Sequence, residues 1–234
     1  MIRPVKVDKR IVNNHMPILM TAIVLLLLLA NIYSSGDYSI INRWQGVILV
    51  LFAIGYIIYT IYEENKLKNS GVDVETSENE NSKENMSIFA IIIYIILGIL
   101  GLKYGSDFVV DNAVIIAEKI GLSEQFIGVT IIAIGTTLPE IITGIVAARK
   151  DASDLLVGNI IGSNILNLCL LAGLGSIISP LVYQTSFNSS ILFLFIISIF
   201  LQLRVLKNDD NKINRKNGIF MLIVYVFYVI FMMK

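Results

Sequence analysis

The chain has 234 residues, 56% of them hydrophobic and only 15% charged, with 18 basic and 18 acidic side chains that cancel. This composition marks an integral membrane protein and excludes a disulfide-built secreted domain, since Cys169 is the one cysteine and lies inside an apolar run. There is no nucleotide-binding loop, no nucleophile paired with a base and no basic aromatic surface. Covalent chemistry, a bound cofactor and nucleic-acid binding are therefore not expected, and the chain does not read as an enzyme.

The first sixteen or so residues are polar and basic and lack the small-residue cleavage pattern of a signal peptide. His15, within this stretch, has no evident partner. Apolar runs then follow at Pro17 to Ser34, Trp44 to Tyr62, Ser87 to Glu118, Phe126 to Ala148, Leu155 to Ser179, Phe187 to Leu206 and Gly218 to Met233. Most have the roughly 20 residues that a helix needs to cross the hydrocarbon core. They are continuously apolar instead of alternating with period two, which favours helices over a barrel. The expected fold is all-α, a polytopic transmembrane helix bundle of about seven spans.

Three domains are expected: 1–62, a cytoplasmic N-terminal segment with two transmembrane helices; 63–86, a linker; and 87–234, a five-helix half. The linker, Glu63 to Met86, is polar, acidic and poor in aromatics, and reads as disordered and cytoplasmic. Its acids lack the fixed glycine and closing glutamate of an EF-hand loop. The third apolar run is too long for one perpendicular crossing. It carries Lys103, Asp107 and Asp111 at four-residue spacing on one helical face, as expected of a long, tilted helix with a polar edge near one surface.

Basic residues sort by side. Arg3, Lys6, Lys9, Arg10, Lys66, Lys68, Lys83, Arg149, Lys150, Arg204, Lys207, Lys212, Arg215 and Lys216 share one side of a seven-span arrangement. Arg43, Lys119 and Lys234 fall on the other, with Lys103 close to it. The positive-inside rule then puts the N-terminus in the cytoplasm and the C-terminus outside.

The fourth and fifth runs carry the chemistry. In GTTLPE, Gly135 to Glu140, a carboxylate stands in an apolar segment, and an ionisable group at mid-depth marks a functional site. Pro139 lacks an amide hydrogen and crowds the carbonyl of Gly135, so that carbonyl, and that of Ala133 nearby, can turn to a ligand. Gly135 loosens the backbone at the same point, giving an interrupted helix of the kind transporters use at mid-depth. Thr136 and Glu140 share a face, with Thr137 beside them.

In GNIIGSNILN, Gly158 to Asn167, Ser163 and Asn167 are four residues apart and share a face. Hydroxyls, an amide, a carboxylate and freed carbonyls are hard oxygen donors, suited to calcium or sodium and not to zinc or copper. Other readings are compatible with the same residues. Glu140 also fits a buried acid hydrogen-bonded to a serine or asparagine, or a protonated one. Ser163 and Asn167 also fit interhelical hydrogen bonding, and Gly158 with Gly162 forms a GxxxG that commonly marks close packing.

The stretch GVTIIAIGTTLPEIITGIVAARKDASDLLVGNIIGSNILNLCLLAGLGSIISP resembles the second α-repeat of the calcium/cation antiporter superfamily, in particular prokaryotic sodium/calcium exchangers. The resemblance implies a ten-helix architecture of two inverted five-helix halves that exchanges sodium for calcium at the membrane centre. The second α-repeat falls on 126–179. The ion ligands it implies are Ala133 through its carbonyl, Thr136, Thr137, Glu140, Ser163 and Asn167. Serine is commoner in the family where Thr137 stands. Potassium-coupled branches have aspartate at the position of Asn167, which weakly disfavours potassium coupling.

No second GTS-P-E or GN-GSN occurs in the first two runs, and MIRPVKVDKR resembles the loop after the first α-repeat. The resemblance thus implies the C-terminal portion of an exchanger, without its first repeat. One carboxylate is too little for calcium, which takes six to eight oxygens. Expected partners are calcium and sodium ions, the lipid bilayer, and either a separately encoded first-repeat half or a second copy in a homodimer. The expected location is the plasma membrane, with multiple passes. A non-transporting remnant or regulatory subunit, and calcium/proton exchange, are the alternatives.

Overall fold

A computed structural model describes residues 5–34, 36–69, 87–121, 127, 131, 133–207 and 212–232. Its main elements are nine helices: α1 Lys9–Asn31, α2 Arg43–Asn69, α3 Ile88–Lys119, α4 Ala133–Thr136, α5 Leu138–Arg149, α6 Ser153–Ile165, α7 Ala172–Ile178, α8 Phe187–Lys207 and α9 Arg215–Met232. A π-helical segment, Leu166–Leu171, joins α6 to α7. Four short strands complete the described residues, β1 Val5–Lys6, β2 Tyr38–Ile41, β3 Leu181–Gln184 and β4 Lys212–Ile213.

Five helical stretches are long and apolar enough to cross a membrane among the described residues: Lys9–Asn31, Arg43–Leu67, Phe89–Lys119, Ser153–Ile178 and Phe187–Lys207. The molecule is thus an all-α polytopic bundle, with two antiparallel strand pairs as minor additions. These are β1 with β4, Val5 facing Ile213, and β2 with β3, Tyr38 facing Gln184. Of the other two expected spans, 126–148 is interrupted at Thr137 in its described part and 218–233 corresponds to α9.

The chain divides into two compact units, Val5–Thr76 with Ser153–Ile213, and Met1–Pro4 with Ser77–Ala152 and Asn214–Lys234. The first of these has a core organised on α1. Val12, Met16, Leu19, Ile23, Leu26 and Ala30 recur at three- and four-residue steps and are all buried, the stripe that one helix face must present. Leu49 and Ala53 of α2, Ile161 and Ile165 of α6, Cys169 and Val205 of α8 close around it. Cys169 is a small core residue, as its apolar setting predicts.

Two departures from the sequence reading occur at the start of α1 and the end of α2. Helix α1 starts at Lys9, not near Pro17, because Asp8 caps it by accepting from the Arg10 amide at 2.8 Å. Consequently His15 lies on a helix and has partners. Its Nε2 pairs with Glu63 Oε2 at 3.1 Å, and its Nδ1 meets the Tyr56 hydroxyl at 3.3 Å. Glu63, which also accepts from Asn14 Nδ2, belongs to α2, because that helix continues to Asn69. The part of the expected linker from Glu63 to Asn69 is therefore helical, and residues 70–86 lie outside those described.

At the opposite end, polar groups fasten α1 to its neighbours. Asn31 and Asn188 exchange amide hydrogen bonds at 3.0 and 2.8 Å, and the Tyr183 hydroxyl donates to Asn188 Oδ1 at 2.7 Å. Gln45 Nε2 and the Ser39 hydroxyl donate to the Leu29 and Ala30 carbonyls, which the helix end leaves without intrahelical donors. Within this unit a close crossing pairs α2 with α7. A Cβ built on Gly46 would lie 2.7 Å from the Gly173 carbonyl oxygen, and one on Gly173 would lie 2.9 Å from the Gly46 carbonyl oxygen.

The other unit contains α3, α4, α5 and α9. Helix α3 runs unbroken for 32 residues, about 48 Å at 1.5 Å per residue, against a hydrocarbon core of about 30 Å. It ends at Gly121, whose φ of 80° is the left-handed cap that glycine adopts without strain. Lys103, Asp107 and Asp111 are all exposed, as their common face requires. α3 packs on both α4 and α5. Its closest approach is Val110 against Gly135, where any Cβ would overlap the valine side chain.

Two comparisons test these contacts. Gly46→Ala should destabilise the chain by about 1–3 kcal/mol through overpacking, whereas Gly55→Ala, with nothing within 4 Å of the added methyl, should stabilise it by about 0.5–1 kcal/mol. Thermal melting in detergent reads both, and equal effects would contradict the close crossing. Gly135→Ala should cost a similar 1–3 kcal/mol, roughly, and Val110→Ala should recover most of it in the double variant. Additive losses in that cycle would show that the two residues do not touch.

Candidate ion-binding site

The expected helix break is present. α4 ends at Thr136, and Thr137, with φ −98° and ψ 2°, leads into α5. Its amide donates to the Ile134 carbonyl at 3.1 Å, a three-residue step that tightens the chain before the break. Pro139 occupies the first turn of α5, where its missing N–H costs nothing. Glu140 stands in that same first turn, where the exposed amide ends of the helix favour a negative charge.

Glu140 is half-buried, and its Oε2 atom is fully buried with no hydrogen-bond partner. Such an atom gains back its lost hydration only from a donor or a cation. Thr136 and Thr137 are exposed on the same stretch. The Thr137 hydroxyl donates to the Ile134 carbonyl at 3.0 Å, which fixes the direction of its proton. Ala133 opens α4. Thr136, Thr137 and Glu140 are thus brought together within one unit, around the break that Gly135 permits by its fit against Val110.

Ser163 and Asn167 belong to the other unit. Ser163 is half-buried on α6, and its hydroxyl donates to the Ile160 carbonyl at 3.3 Å. With its proton given to that carbonyl, the hydroxyl keeps oxygen lone pairs that can accept. Asn164 Nδ2 donates to the same carbonyl at 2.7 Å. Asn167 is exposed and falls in the π-helical segment, where the Ala172 amide donates to the Asn167 carbonyl five residues back. Such bulges shift the facing of side chains by a fraction of a turn and concentrate at functional positions. Nothing in the local apolar pattern announces this one.

Among the described residues the glycines of GxxxG are not a packing pair. The Cβ position of Gly158 is open, and that of Gly162 meets only the Tyr56 hydroxyl at 3.7 Å. Asn159, between them, was missed by the sequence reading. Its Nδ2 is buried with no partner. The signal was available, because Asn159, Ser163 and Asn167 form one ladder at four-residue spacing.

The comparisons with known proteins bear on the family to which these motifs belong. Residues 90–234 match the sodium/calcium exchanger protein family. An uncharacterised membrane protein of Methanocaldococcus jannaschii is 31% identical over 225 residues, covering 96% of this chain and 67% of that protein. The sodium/calcium exchanger MaX1 of Methanosarcina acetivorans is 43% identical over 89 residues, 38% of this chain and 25% of its own length. Among solved structures, the sodium-calcium exchanger NCX_Mj soaked with sodium and strontium superposes with a TM-score of 0.72 at 29% identity, covering 98% of this chain and 68% of that one. The chain spans about two thirds of the length of the M. jannaschii protein and of that structure. With a matched region that takes in both motifs and more than half of its residues, the chain belongs to the sodium/calcium exchanger family, whose members are multi-pass membrane transporters and not enzymes.

Proposed function

We propose that this chain works in sodium/calcium antiport across the plasma membrane, with Ala133 through its carbonyl, Thr136, Thr137, Glu140, Ser163 and Asn167 as ion ligands. The observation that carries the reading is Glu140, a carboxylate in the first turn beyond a helix break with one oxygen buried and unpartnered. The surrounding donors are hydroxyl, amide and carbonyl oxygens, the set that hard cations select. Family membership supplies the exchange partner, since the family is named for sodium and calcium and its match at residues 90–234 spans both motifs.

With Glu140 as the one acid, these six residues bring too little negative charge to offset the dehydration of calcium, so further oxygens, those of a second acid among them, are needed. We therefore assign them to a second α-repeat and assign the remaining oxygens to a first repeat, held by a separate polypeptide or completed by a second copy of the chain. Seven spans, with the N-terminus cytoplasmic and the C-terminus outside, fit the distribution of lysine and arginine. Asn167 brings no charge to the site, which favours sodium alone as the coupling ion.

Sodium and calcium would compete for overlapping oxygens, and alternating exposure of the site to the two sides would couple their fluxes. The test is radiolabelled calcium uptake into sodium-loaded proteoliposomes containing the chain, alone and with the first-repeat half of a relative. Uptake driven by the outward sodium gradient should fall at least about a hundred-fold in Glu140→Gln, since even outer-shell partners of a metal are worth about 10–100-fold. Uptake that ignores either the sodium gradient or Glu140→Gln would overturn the reading. Flux driven equally well by a proton gradient would replace it with calcium/proton exchange, and no flux in any combination would leave a non-transporting subunit.

A further inference from the structure

Ser106 Oγ, Glu140 Oε2 and Asn159 Nδ2 are the buried side-chain polar atoms without a hydrogen-bond partner among the described residues. Two of the three belong to the motifs already discussed. Ser106 does not: it is on α3 and only 8% exposed. A buried helical serine ordinarily returns its hydroxyl to a carbonyl one turn back. Ser176 does so to Gly173 at 2.9 Å, and Ser198 to Leu194 at 2.8 Å. Ser106 forgoes that bond and leaves its hydroxyl unsatisfied in a buried setting.

Its place on α3 explains where that hydroxyl is used. Ser106 and Val110 are four residues apart and share a face, and Val110 is the residue that meets Gly135. α3 also packs on α5, the helix that begins just beyond the break. In the seven-span arrangement proposed above, α3 and α4–α5 are consecutive crossings and run antiparallel, so one turn back from Val110 matches one turn forward from Gly135. That step pairs Ser106 with Pro139 and Glu140. The two unpartnered oxygens of this unit then share one level of the bundle.

Resting on the exchange function set out above, we propose that the Ser106 hydroxyl is a further oxygen ligand of the cation held by Glu140, contributed by a helix outside both motifs. It raises the oxygen count without adding charge, which suits an ion that must also leave. Because it stands on a different helix from Glu140, a displacement of α3 removes one ligand and weakens the hold on the ion. Ion affinity is thereby tied to the position of α3, the linkage that alternating access requires.

Replacing the hydroxyl by a thiol tests this directly, since thiolate recruits softer metals such as cadmium. Cadmium binding to the purified chain is measured for wild type, Ser106→Cys, Ser106→Cys with Glu140→Gln, and Ser198→Cys as a buried control. Ser106→Cys should bind cadmium at least about tenfold more tightly than wild type, Glu140→Gln should remove the gain, and Ser198→Cys should show none. No gain beyond the Ser198→Cys control, or a gain that survives Glu140→Gln, overturns the proposal.

A second variant guards against misfolding of the first. Ser106→Ala should raise the calcium concentration for half-maximal exchange about tenfold, with Ser198→Ala unchanged, and an unchanged value overturns the proposal as well. If Glu140→Gln abolishes exchange while both Ser106 variants behave as controls, only the role of Ser106 falls. If exchange is indifferent to Glu140→Gln, the exchange function falls with it.

Discussion

A carboxylate inside a membrane bundle has to be held by something other than water, and the break between α4 and α5 is what makes that possible here. Pro139 withholds one amide, Thr137 leaves the helical path, and the new helix starts with Glu140 in its first turn. The dipole end of α5 then favours a charge that lipid would otherwise penalise by several kcal/mol, roughly. The break is itself anchored, because Gly135 has no side chain and so lets α3 come up against it through Val110. Adding a single methyl group at Gly135 would displace the element that positions the acid.

The other motif is mounted differently. Ser163 and Asn167 are carried by a helix whose inner face, Ile161, Ile165 and Cys169, is locked into a core centred on α1. That core is pinned at one end by the Asn31–Asn188 amide pair and at the other by His15 with Glu63. The π-helical turn at Leu166–Leu171 lets Asn167 face outward while Cys169, two residues on, stays fully buried. Rigid support with one π-helical turn is a mount of the kind found at functional positions.

Much of this was legible in the sequence because it follows from composition and from residues with one dominant effect. Long apolar runs gave the bundle, and proline with glycine gave the break at Thr137. Side-chain pairing over long distances was not legible. His15 looked solitary because its partner, Glu63, is 48 residues away on a helix that outlasts its apolar run. The helix start at Lys9 was hidden because Asp8 acts through a cap and not through hydropathy. The two-stranded pairs were missed since strands of two to four residues carry no periodic signal. Gly158 and Gly162 had the spacing of a packing motif, but the tight crossing is at Gly46 and Gly173, which share no short motif. Ser106 was invisible for a simpler reason: only burial distinguishes it from any other serine.

The most direct measurement is the position of strontium, a calcium surrogate with a usable anomalous signal, in crystals of the chain with its completing half. The expected result is one anomalous peak in direct contact with the Glu140 carboxylate, at or slightly beyond the roughly 2.3–2.6 Å of calcium–oxygen bonds, with oxygens of Thr136, Ser163 and Asn167 in the same shell. A peak held instead by the exposed Asp107 and Asp111 face of α3, or none at Glu140 under saturating strontium, would contradict the account.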